Sequence, residues 1–333
     1  MDNFFLIIFF FLLNLFIFLN FTKIEKIIYI SDKPSGELKK HKKPVSLLGG
    51  FIILLNFYLI FISFNFLNLE NLIFNQKFTY ILIILSSLFY IIGLIDDLKN
   101  LTPNLKLLLI CLSFVIVAYF FPEIKLKYIR ISFLDNVYYF NNFSFIFLIL
   151  AFALLYNALN MFDGINLQLI IFTIFIFIIF ILKGFYPIFF TLMIICLIFL
   201  GILNSQNKVF LGDGGSYLIS SIIGCSFIYQ YKYFENFFYG DEVFIILLIP
   251  SIDMFRLFLV RSINGKNPFK GDLNHIHHII NNHFQNTNLT VFFTTLMFVL
   301  PSALLFFEIA TYYVLIISII VYSAVITYLK KNL

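Results

Sequence analysis

The chain of 333 residues is 62% hydrophobic and only 12% charged, with a formal net charge of +5. This composition excludes an ordinary water-soluble domain, because the apolar runs approach the roughly 20 residues that a helix needs to cross a hydrocarbon core of about 30 Å. The small positive charge agrees with basic residues beside a membrane surface, so we expect no nucleic-acid partner.

Eleven apolar runs follow one another along the chain. Continuous runs of this kind indicate helices rather than the alternating segments of a closed barrel, so we predict an all-α polytopic membrane protein with about 11 transmembrane helices. Residues 1–333 are expected to form a single integral-membrane domain, since no linker, repeat or low-complexity tail separates a second module. The predicted spans are Asn3–Phe21, Val45–Phe64, Phe78–Ile95, Asn104–Phe121, Phe143–Leu159, Leu167–Leu182, Tyr186–Leu203, Ser216–Tyr231, Val243–Val260, Leu289–Phe307 and Ile309–Leu329.

The Lys and Arg residues predict the orientation of these spans. Sixteen of the 22 lie in or beside the odd-numbered gaps between spans, or in the C-terminal tail. Because cytoplasmic loops carry an excess of basic residues, these gaps and the C-terminus are predicted to be cytoplasmic and the N-terminus to lie outside. The six basic residues of the opposite side are Lys77, Lys125, Lys127, Arg130, Lys183 and Lys232.

The longest outer gap, Pro122–Asn142, has the pattern of two short strands. Apolar and polar residues alternate over 125–131, and a second β-prone segment over 137–140 follows the turn residues Asp135 and Asn136. We therefore predict a small exterior β-hairpin.

The first and third gaps carry two groups of charged residues. Lys39, Lys40 and His41 precede Pro44 and would bind lipid headgroups in the simplest interpretation, while Gly49–Gly50 allows close helix packing. The third gap begins with the adjacent carboxylates Asp96 and Asp97. Ionisable groups at the end of a membrane span are energetically costly unless they bind a cation, a phosphate or a partner. The alternative interpretation is a solvated helix end with Lys99 as counter-ion.

The fifth gap holds Asn157, Asn160 and Asp163, which are three residues apart and would line one helical face before a turn at Gly164. Grouped amide and carboxylate oxygens suit a hard cation such as Mg²⁺. The alternative interpretation is an Asx-rich turn that ends a helix.

The seventh gap places Asp213 among Gly212, Gly214 and Gly215, just before Ser216 opens the next span. Glycines allow the backbone to approach a phosphate closely, and a following helix N-terminus offers N–H groups. The spacing is not that of a Walker A loop, and a plain tight turn is the alternative.

The ninth gap brings His275, His277 and His278 close to several lysines. Zinc is one interpretation, but no Cys accompanies these residues, and histidines among lysines suit an anionic diphosphate better. All five histidines of the chain lie in gaps of the predicted cytoplasmic side.

Since alternate gaps share one side of a membrane, these five clusters would form one surface, which points to an enzyme at the lipid–water boundary. The rival classes are a secondary transporter and a non-catalytic scaffold. A transporter would place ionisable residues near mid-membrane, but few acids or bases lie within the predicted spans, and Asp253 and Lys106 are the clearest of these. Asp253 is expected to pair with Arg256, one turn further on.

Taken in order, these motifs closely resemble the polyprenyl-phosphate N-acetylhexosaminyl-1-phosphate transferase family, a glycosyltransferase family 4-like group. The matching elements are His-x-x-Pro and Gly-Gly in the first gap, Asp-Asp, Asn-x-x-Asn-x-x-Asp-Gly, Phe-x-Gly-Asp-x-Gly-Ser and His-x-His-His. The His-x-His-His form and the eleven spans look like the branch that transfers GlcNAc-1-phosphate to undecaprenyl phosphate for O-antigen, enterobacterial-common-antigen-like or teichoic-acid synthesis. The alternative is the phospho-N-acetylmuramoyl-pentapeptide transferase branch.

The resemblance implies that a lipid phosphate attacks the β-phosphate of a UDP-N-acetylhexosamine and that UMP leaves, with Mg²⁺ as cofactor and Mn²⁺ as a substitute. By the same resemblance, Asp213 and Asn160 hold the metal, Phe210 stacks on uracil and Asn166 bonds its edge. Asp96 and Asp97 would orient or deprotonate the polyprenyl phosphate. The remaining implied residues are Asp163, His275, His277 and His278 as catalytic groups and Lys40, His41, Asn157 and Lys106 as substrate-binding groups.

The resemblance also implies a place in the cell, namely a bacterial inner membrane with the active site on its cytoplasmic face, and a homodimer is compatible with it. One departure concerns the donor pocket. After Asn166 the family usually continues Gly-Leu, whereas this chain has Leu167 and Gln168.

Overall fold

The computed structural model describes residues 2–32, 44–69, 74–134, 136–234, 238–268, 272–307 and 309–331. The described chain is mainly α-helical, as predicted. Its helices are α1 Asp2–Leu19, α2 Phe21–Ile27, α3 Gly49–Phe66, α4 Gln76–Lys99, α5 Pro103–Phe120, α6 Ser144–Phe162, α7 Gln168–Leu182, α8 Pro187–Ser205, α9 Gly212–Tyr233, α10 Gly240–Ile246, α11 Leu248–Ile263, α12 Ile276–Phe284, α13 Thr287–Leu305 and α14 Thr311–Lys331.

The chain forms two compact units. The first consists of Met1–Glu123 and Leu169–Cys225, and the second of Ile124–Gln168 and Ser226–Leu333. In the first unit, α8 packs against α1 and α3, and α4 packs against α3 and α5. In the second unit, α11 packs against α6, while α13 packs against α10, α12 and α14.

Seven helices in the described chain are long and apolar enough to cross a membrane, and the number rises to nine if two bent pairs each form one span. The bent pairs are α1 with α2, at 70°, and α10 with α11, at 80°. Each of the eleven predicted spans contains a helix, although the ninth is divided between α10 and α11. However, α7 has only 15 residues. Helix α9 has 22 residues but is rich in Gly and Ser, and it is not among the helices that are apolar enough to cross a membrane. The number eleven and the orientation remain predictions.

The predicted hairpin is present in the second unit. Strand β3, Tyr128–Arg130, pairs antiparallel with β4, Val137–Tyr139, in a register that sets Ile129 opposite Tyr138. The pairing is therefore confirmed, while its exterior location stays a prediction.

A second pair of strands was not predicted. Strand β1, Ser31–Asp32, pairs antiparallel with β2, Val45–Ser46, and Ser46 also forms a parallel bridge with Val209. Strands of two residues leave too short a pattern to stand out in a sequence. This pairing ties the end of the first gap to the segment that precedes α9.

The predicted close packing at Gly49–Gly50 is confirmed. A Cβ atom at Gly49 would lie 2.5 Å from the carbonyl oxygen of Phe210, and one at Gly50 would lie 2.6 Å from the nitrogen of Gly215. The N–H group of Gly49 donates to the Phe210 carbonyl at 3.1 Å. The start of α3 thus fixes the backbone that leads into α9.

Candidate active site

A cluster of three carboxylates and one ammonium group lies in the first unit. Asp96 and Asp97 are in the last turn of α4, Lys106 is near the start of α5, and Asp213 is in the first turn of α9. The structure therefore brings together the predicted residues of the third and seventh gaps. When its carboxyl groups are ionised, the cluster has an excess of negative charge.

Asp97 caps helix α9 from outside that helix. Its Oδ1 accepts a hydrogen bond from the backbone N–H of Asp213 at 2.8 Å, and its Oδ2 accepts one from that of Gly214 at 3.1 Å. A carboxylate at a helix N-terminus satisfies otherwise unpaired N–H groups and interacts favourably with the helix dipole. From the sequence, these N–H groups are expected to be available to a phosphate, whereas in the structure they donate to Asp97.

Glycine is needed where α9 meets α4. Gly212 has a φ of +70°, and a Cβ atom there would lie 2.5 Å from Oδ2 of Asp97. A Cβ atom at Gly93 would overlap the carbonyl group of Asp213. The glycines therefore give the cap its close approach.

Lys106 bridges the two other carboxylates. Its Nζ forms an ion pair with Oδ2 of Asp96 and lies 3.3 Å from Oδ2 of Asp213. Asp96 is only 2% exposed and also accepts hydrogen bonds from the Leu101 N–H at 2.9 Å and the Tyr217 hydroxyl at 3.2 Å. The counter-ion of Asp96 thus comes from the next helix and not from the neighbouring Lys99 that the sequence suggested.

The donor set of this cluster fits a hard cation. Mg²⁺ prefers oxygen ligands and commonly binds one or two carboxylates together with water and substrate phosphate, so it needs no complete protein cage. Oxygens of Asp96 and Asp213 already converge on a cationic atom, Nζ of Lys106. In the part of the chain that the structure describes, no group of three or more His, Cys, Asp or Glu side chains forms a full metal site.

The polar residues of the fifth gap lie at the end of α6 in the second unit. Asn157 donates its amide to the Ala153 carbonyl, one turn earlier, at 2.8 Å. Helix α6 ends at Phe162, and Asp163 is its C-terminal cap residue, whose N–H donates to the Leu159 carbonyl at 3.1 Å. That the three side chains share one helical face stays a prediction. Asn160, Asp163 and the later Asn166 are half-buried.

The histidine cluster packs on the turn that follows α6. A Cβ atom at Gly164 would overlap the His277 ring, and this ring also meets Phe162 edge-on with centroids 6.3 Å apart. The fifth and ninth gaps are thus brought together within the second unit. A side chain at position 164 would displace the imidazole.

The three clustered histidines lie at the start of helix α12 and are buried. His275 is the N-cap of α12, while His277 and His278 lie in its first turn. The ring of His275 is parallel to that of His277 at 5.5 Å between centroids, and His277 is 4.2 Å from His278. All three are buried, with exposures of 9% or less. The ninth gap therefore contains a short helix, which the hydropathy pattern did not predict.

The segment before the histidines is held by an ion pair between Arg261 and Asp272, which the sequence did not predict. Nε of Arg261 lies 2.9 Å from Oδ2 of Asp272, and the Asn274 N–H donates to Oδ1 of Asp272 at 2.8 Å. Burial alone would raise the pKa of Asp272, but the bonds from Arg261 and Asn274 outweigh it and lower this pKa below its ordinary value. The ionised form is therefore favoured.

The structure describes only some of the other predicted residues. Lys40 and His41 lie outside the described residues. Phe210 is half-buried, and its backbone is fixed by bonds to Ser46 and Gly49. Gln168 is 1% exposed, and neither atom of its amide has a hydrogen-bond partner within the described chain.

Comparison with known families adds an independent finding. Residues 79–231 match the model of Glycosyl transferase family 4. The matched segment is somewhat less than half of the chain and contains Asp96, Asp97, Lys106 and Asp213. A search of curated proteins finds no match.

The family match supports the coarser conclusion that the motifs suggested, a sugar-phosphate transferase of the glycosyl transferase 4 type. Together with the long apolar helices, it indicates a multi-pass membrane protein.

Proposed function

We propose that the protein transfers N-acetylhexosamine-1-phosphate, with GlcNAc-1-phosphate as the preferred form, from a UDP-sugar to undecaprenyl phosphate and releases UMP. The observation that carries this proposal is the carboxylate–lysine cluster of Asp96, Asp97, Lys106 and Asp213 inside the segment that matches the transferase family. The reaction would be the first membrane step of a cell-envelope polysaccharide, at the cytoplasmic face of a bacterial plasma membrane.

The chemistry needs little from a general base. A phosphate monoester has a second pKa near 6, so the lipid phosphate is largely dianionic at neutral pH and is itself the nucleophile. It attacks the β-phosphorus of the donor, a new P–O bond forms, and the bond from that phosphorus to the bridging oxygen breaks as UMP leaves. The main task of the protein is to bring two anions together and to balance their charge.

In this proposal Asp213 would hold Mg²⁺ or Mn²⁺, and the bound cation would supply positive charge to neutralise the diphosphate. Lys106 supplies a fixed positive charge beside the same carboxylate. Asp96 keeps Lys106 oriented, and Asp97 holds the start of α9 in place. Asp97 is therefore proposed as a positioning residue for the start of α9, whereas the resemblance implied that it orients or deprotonates the lipid phosphate.

Further residues are proposed to bind the donor. The half-buried Asn166 is proposed to bond the edge of the uracil ring, and the histidines of α12 suit an anionic diphosphate. As the resemblance implies, Asn160 is proposed to bind the metal and Phe210 to stack on the uracil ring. Substitution of each residue would test these roles.

The experiment is a reaction of the purified protein with UDP-GlcNAc, undecaprenyl phosphate and Mg²⁺, in which UMP and the lipid product are both quantified. Asp213→Asn should lose at least about 100-fold in turnover, since one preorganised charge commonly contributes 10²–10³-fold. The matched control Lys99→Gln changes an exposed charge near the cluster and should keep normal turnover. Near-normal activity of Asp213→Asn would remove this residue from the metal site.

The donor is decided by competition between UDP-GlcNAc and UDP-MurNAc-pentapeptide in one membrane preparation, with the lipid products separated by mass. The proposal expects GlcNAc-1-phosphate to dominate. Dominant transfer of the pentapeptide-bearing sugar would assign the protein to the other branch and leave the reaction type unchanged.

A further inference from the structure

A buried aspartate of the second unit is at the centre of a network that the proposed reaction does not yet use. Asp253, in α11, is 2% exposed. Its Oδ1 accepts hydrogen bonds from Arg256 at 2.8 Å, from the Tyr322 hydroxyl at 2.7 Å and from the backbone N–H of Ile276 at 3.2 Å. Its Oδ2 lies 2.8 Å from Nδ1 of His275.

The surroundings of Asp253 favour its ionised form. A buried carboxylate is stable when it is paired with a cation and its oxygens accept hydrogen bonds, and Asp253 has both through Arg256 and its other donors. Arg256 is itself held by the Tyr322 hydroxyl at 2.9 Å and the Asn274 carbonyl at 2.7 Å. An ionised carboxylate can only accept, so Nδ1 of His275 must carry the proton of their shared bond.

The same carboxylate also fixes the start of α12. Ile276 is the first residue of this helix, and its N–H donates to Asp253. The helix carries His277 and His278, and the ring of His277 is parallel to that of His275 within 3°. The Asp253 side chain of α11 therefore fixes both the orientation of the His275 ring and the start of the helix that carries His277 and His278.

We propose that Asp253 is a positioning residue that holds His275 with its proton on Nδ1, so that the other ring nitrogen, Nε2, accepts a hydrogen bond from a hydroxyl or N–H group of the substrate sugar. A carboxylate behind an imidazole fixes its tautomer and orientation in many sites. Asp253 does not touch the substrate and acts through His275 and the N-terminus of α12. The part of this inference that concerns the substrate rests on the proposed function, whereas the tautomer does not.

The first test measures the tautomer without any reaction. Protein labelled with ¹⁵N-histidine is studied by NMR in lipid nanodiscs, and since the chain has five histidines, His275→Gln is sufficient to assign the His275 signals. The expected wild-type spectrum shows a protonated Nδ1 for His275. An unprotonated Nδ1 in the wild-type protein would overturn the proposal, whatever the activity of the protein.

Asp253→Asn extends this measurement. An amide can accept through its oxygen or donate through its nitrogen, so the variant loses the fixed acceptor at Oδ2 and the His275 nitrogen shifts should move toward a mixture of tautomers. Tyr322→Phe removes a donor to Oδ1 but none to Oδ2, and it should leave the His275 shifts unchanged. Unchanged His275 shifts in Asp253→Asn would contradict the proposal.

The second test measures coupling in the reaction with UDP-GlcNAc and undecaprenyl phosphate. Asp253→Asn and His275→Ala should each lower kcat/KM by at least about 10-fold, and the double variant should be no worse than His275→Ala, because coupled residues give non-additive effects. Losses that multiply in the double variant would show that Asp253 acts independently of His275. Asp253→Glu, which keeps the charge, should recover more activity than Asp253→Asn.

A matched control separates this role from the general cost of losing a buried carboxylate. Asp241, at the start of α10, is 8% exposed and accepts hydrogen bonds from the N–H and hydroxyl groups of Ser132 at 2.9 Å and 2.5 Å. Asp241→Asn should leave both the His275 shifts and the coupling unchanged. Equal changes in the Asp241 and Asp253 variants would reduce the role of Asp253 to structural support and overturn the proposal.

Discussion

Leu167 is held in a backbone conformation that suits glycine. Its φ is +69°, in the left-handed region that costs a residue with a side chain about 1–2 kcal/mol. It stands where the resembling family usually has Gly, in the turn between α6 and α7. The sequence showed the departure, and the structure shows that the backbone keeps the conformation of a glycine turn although the residue has changed.

Leu167→Gly should therefore stabilise the protein. The relief of strain exceeds the greater entropy of glycine in the unfolded chain, so we expect a net gain of about 0.5–1 kcal/mol and a higher Tm in detergent. The control Leu169→Gly removes a fully buried side chain from α7 and should cost about 3 kcal/mol or more. A lower Tm for Leu167→Gly would mean that contacts of the leucine side chain outweigh the strain.

For other residues, the sequence predicted a functional role but not the partners that their side chains contact. The acidic pair at Asp96 and Asp97 stood out because carboxylates are rare beside apolar runs. Their different partners, Lys106 for one and the N-terminus of α9 for the other, depend on three helices and left no pattern in the local sequence. The pairing of Asp253 with Arg256 followed from helical spacing and is confirmed at 2.8 Å, whereas its bond to His275 spans 22 residues.

At the scale of elements, two helices begin at an aspartate from another helix. Asp97 of α4 accepts from the first turn of α9, and Asp253 of α11 accepts from the first residue of α12. Each capped helix carries residues proposed for the reaction. Such a cap satisfies N–H groups that water cannot readily reach beside a membrane, and it fixes the first turn of the helix relative to its neighbour.

A pair of glycine variants tests the cap on α9. Gly212 and Gly184 have similar φ values, +70° and +79°, but a Cβ atom at Gly212 would meet Asp97 whereas one at Gly184 has nothing within 4 Å. Both alanine variants are destabilised by about 1–2 kcal/mol, because each places a side chain on a residue in the left-handed backbone region. Gly212→Ala should in addition displace the cap, so its Tm and turnover should fall well below those of Gly184→Ala. Equal effects in the two variants would contradict the importance of the Asp97 contact.

The elements themselves were largely predictable because hydrophobic runs of 15 to 24 residues are a strong signal. The hairpin was also predictable, since two β-prone segments flank Asp135 and Asn136 in the sequence, although its register was not predicted. The break between α10 and α11 and the two-residue strands β1 and β2 were not, because a bend inside an apolar run and a pairing of so few residues change the hydropathy pattern very little.

At the scale of the whole molecule, the charge distribution predicts the orientation in the membrane. Cysteines introduced at Ser205 and at Asn136 should label with a membrane-impermeant thiol reagent from opposite sides in intact and permeabilised cells, because their gaps differ in parity. The native cysteines Cys111, Cys196 and Cys225 are replaced by serine or alanine in this background. Labelling of both sites from one side would contradict the placement of the motif gaps on a common face.

The central claim, transfer of a phosphosugar rather than of a sugar alone, is tested most directly by the position of the donor's β-phosphorus after the reaction. UDP-GlcNAc labelled with ³²P at the β-phosphate is incubated with the purified protein, undecaprenyl phosphate and Mg²⁺, and the lipid and nucleotide products are separated. The account predicts that the label enters the lipid and that the nucleotide released is unlabelled UMP. Release of labelled UDP, with an unlabelled lipid-linked sugar, would contradict it.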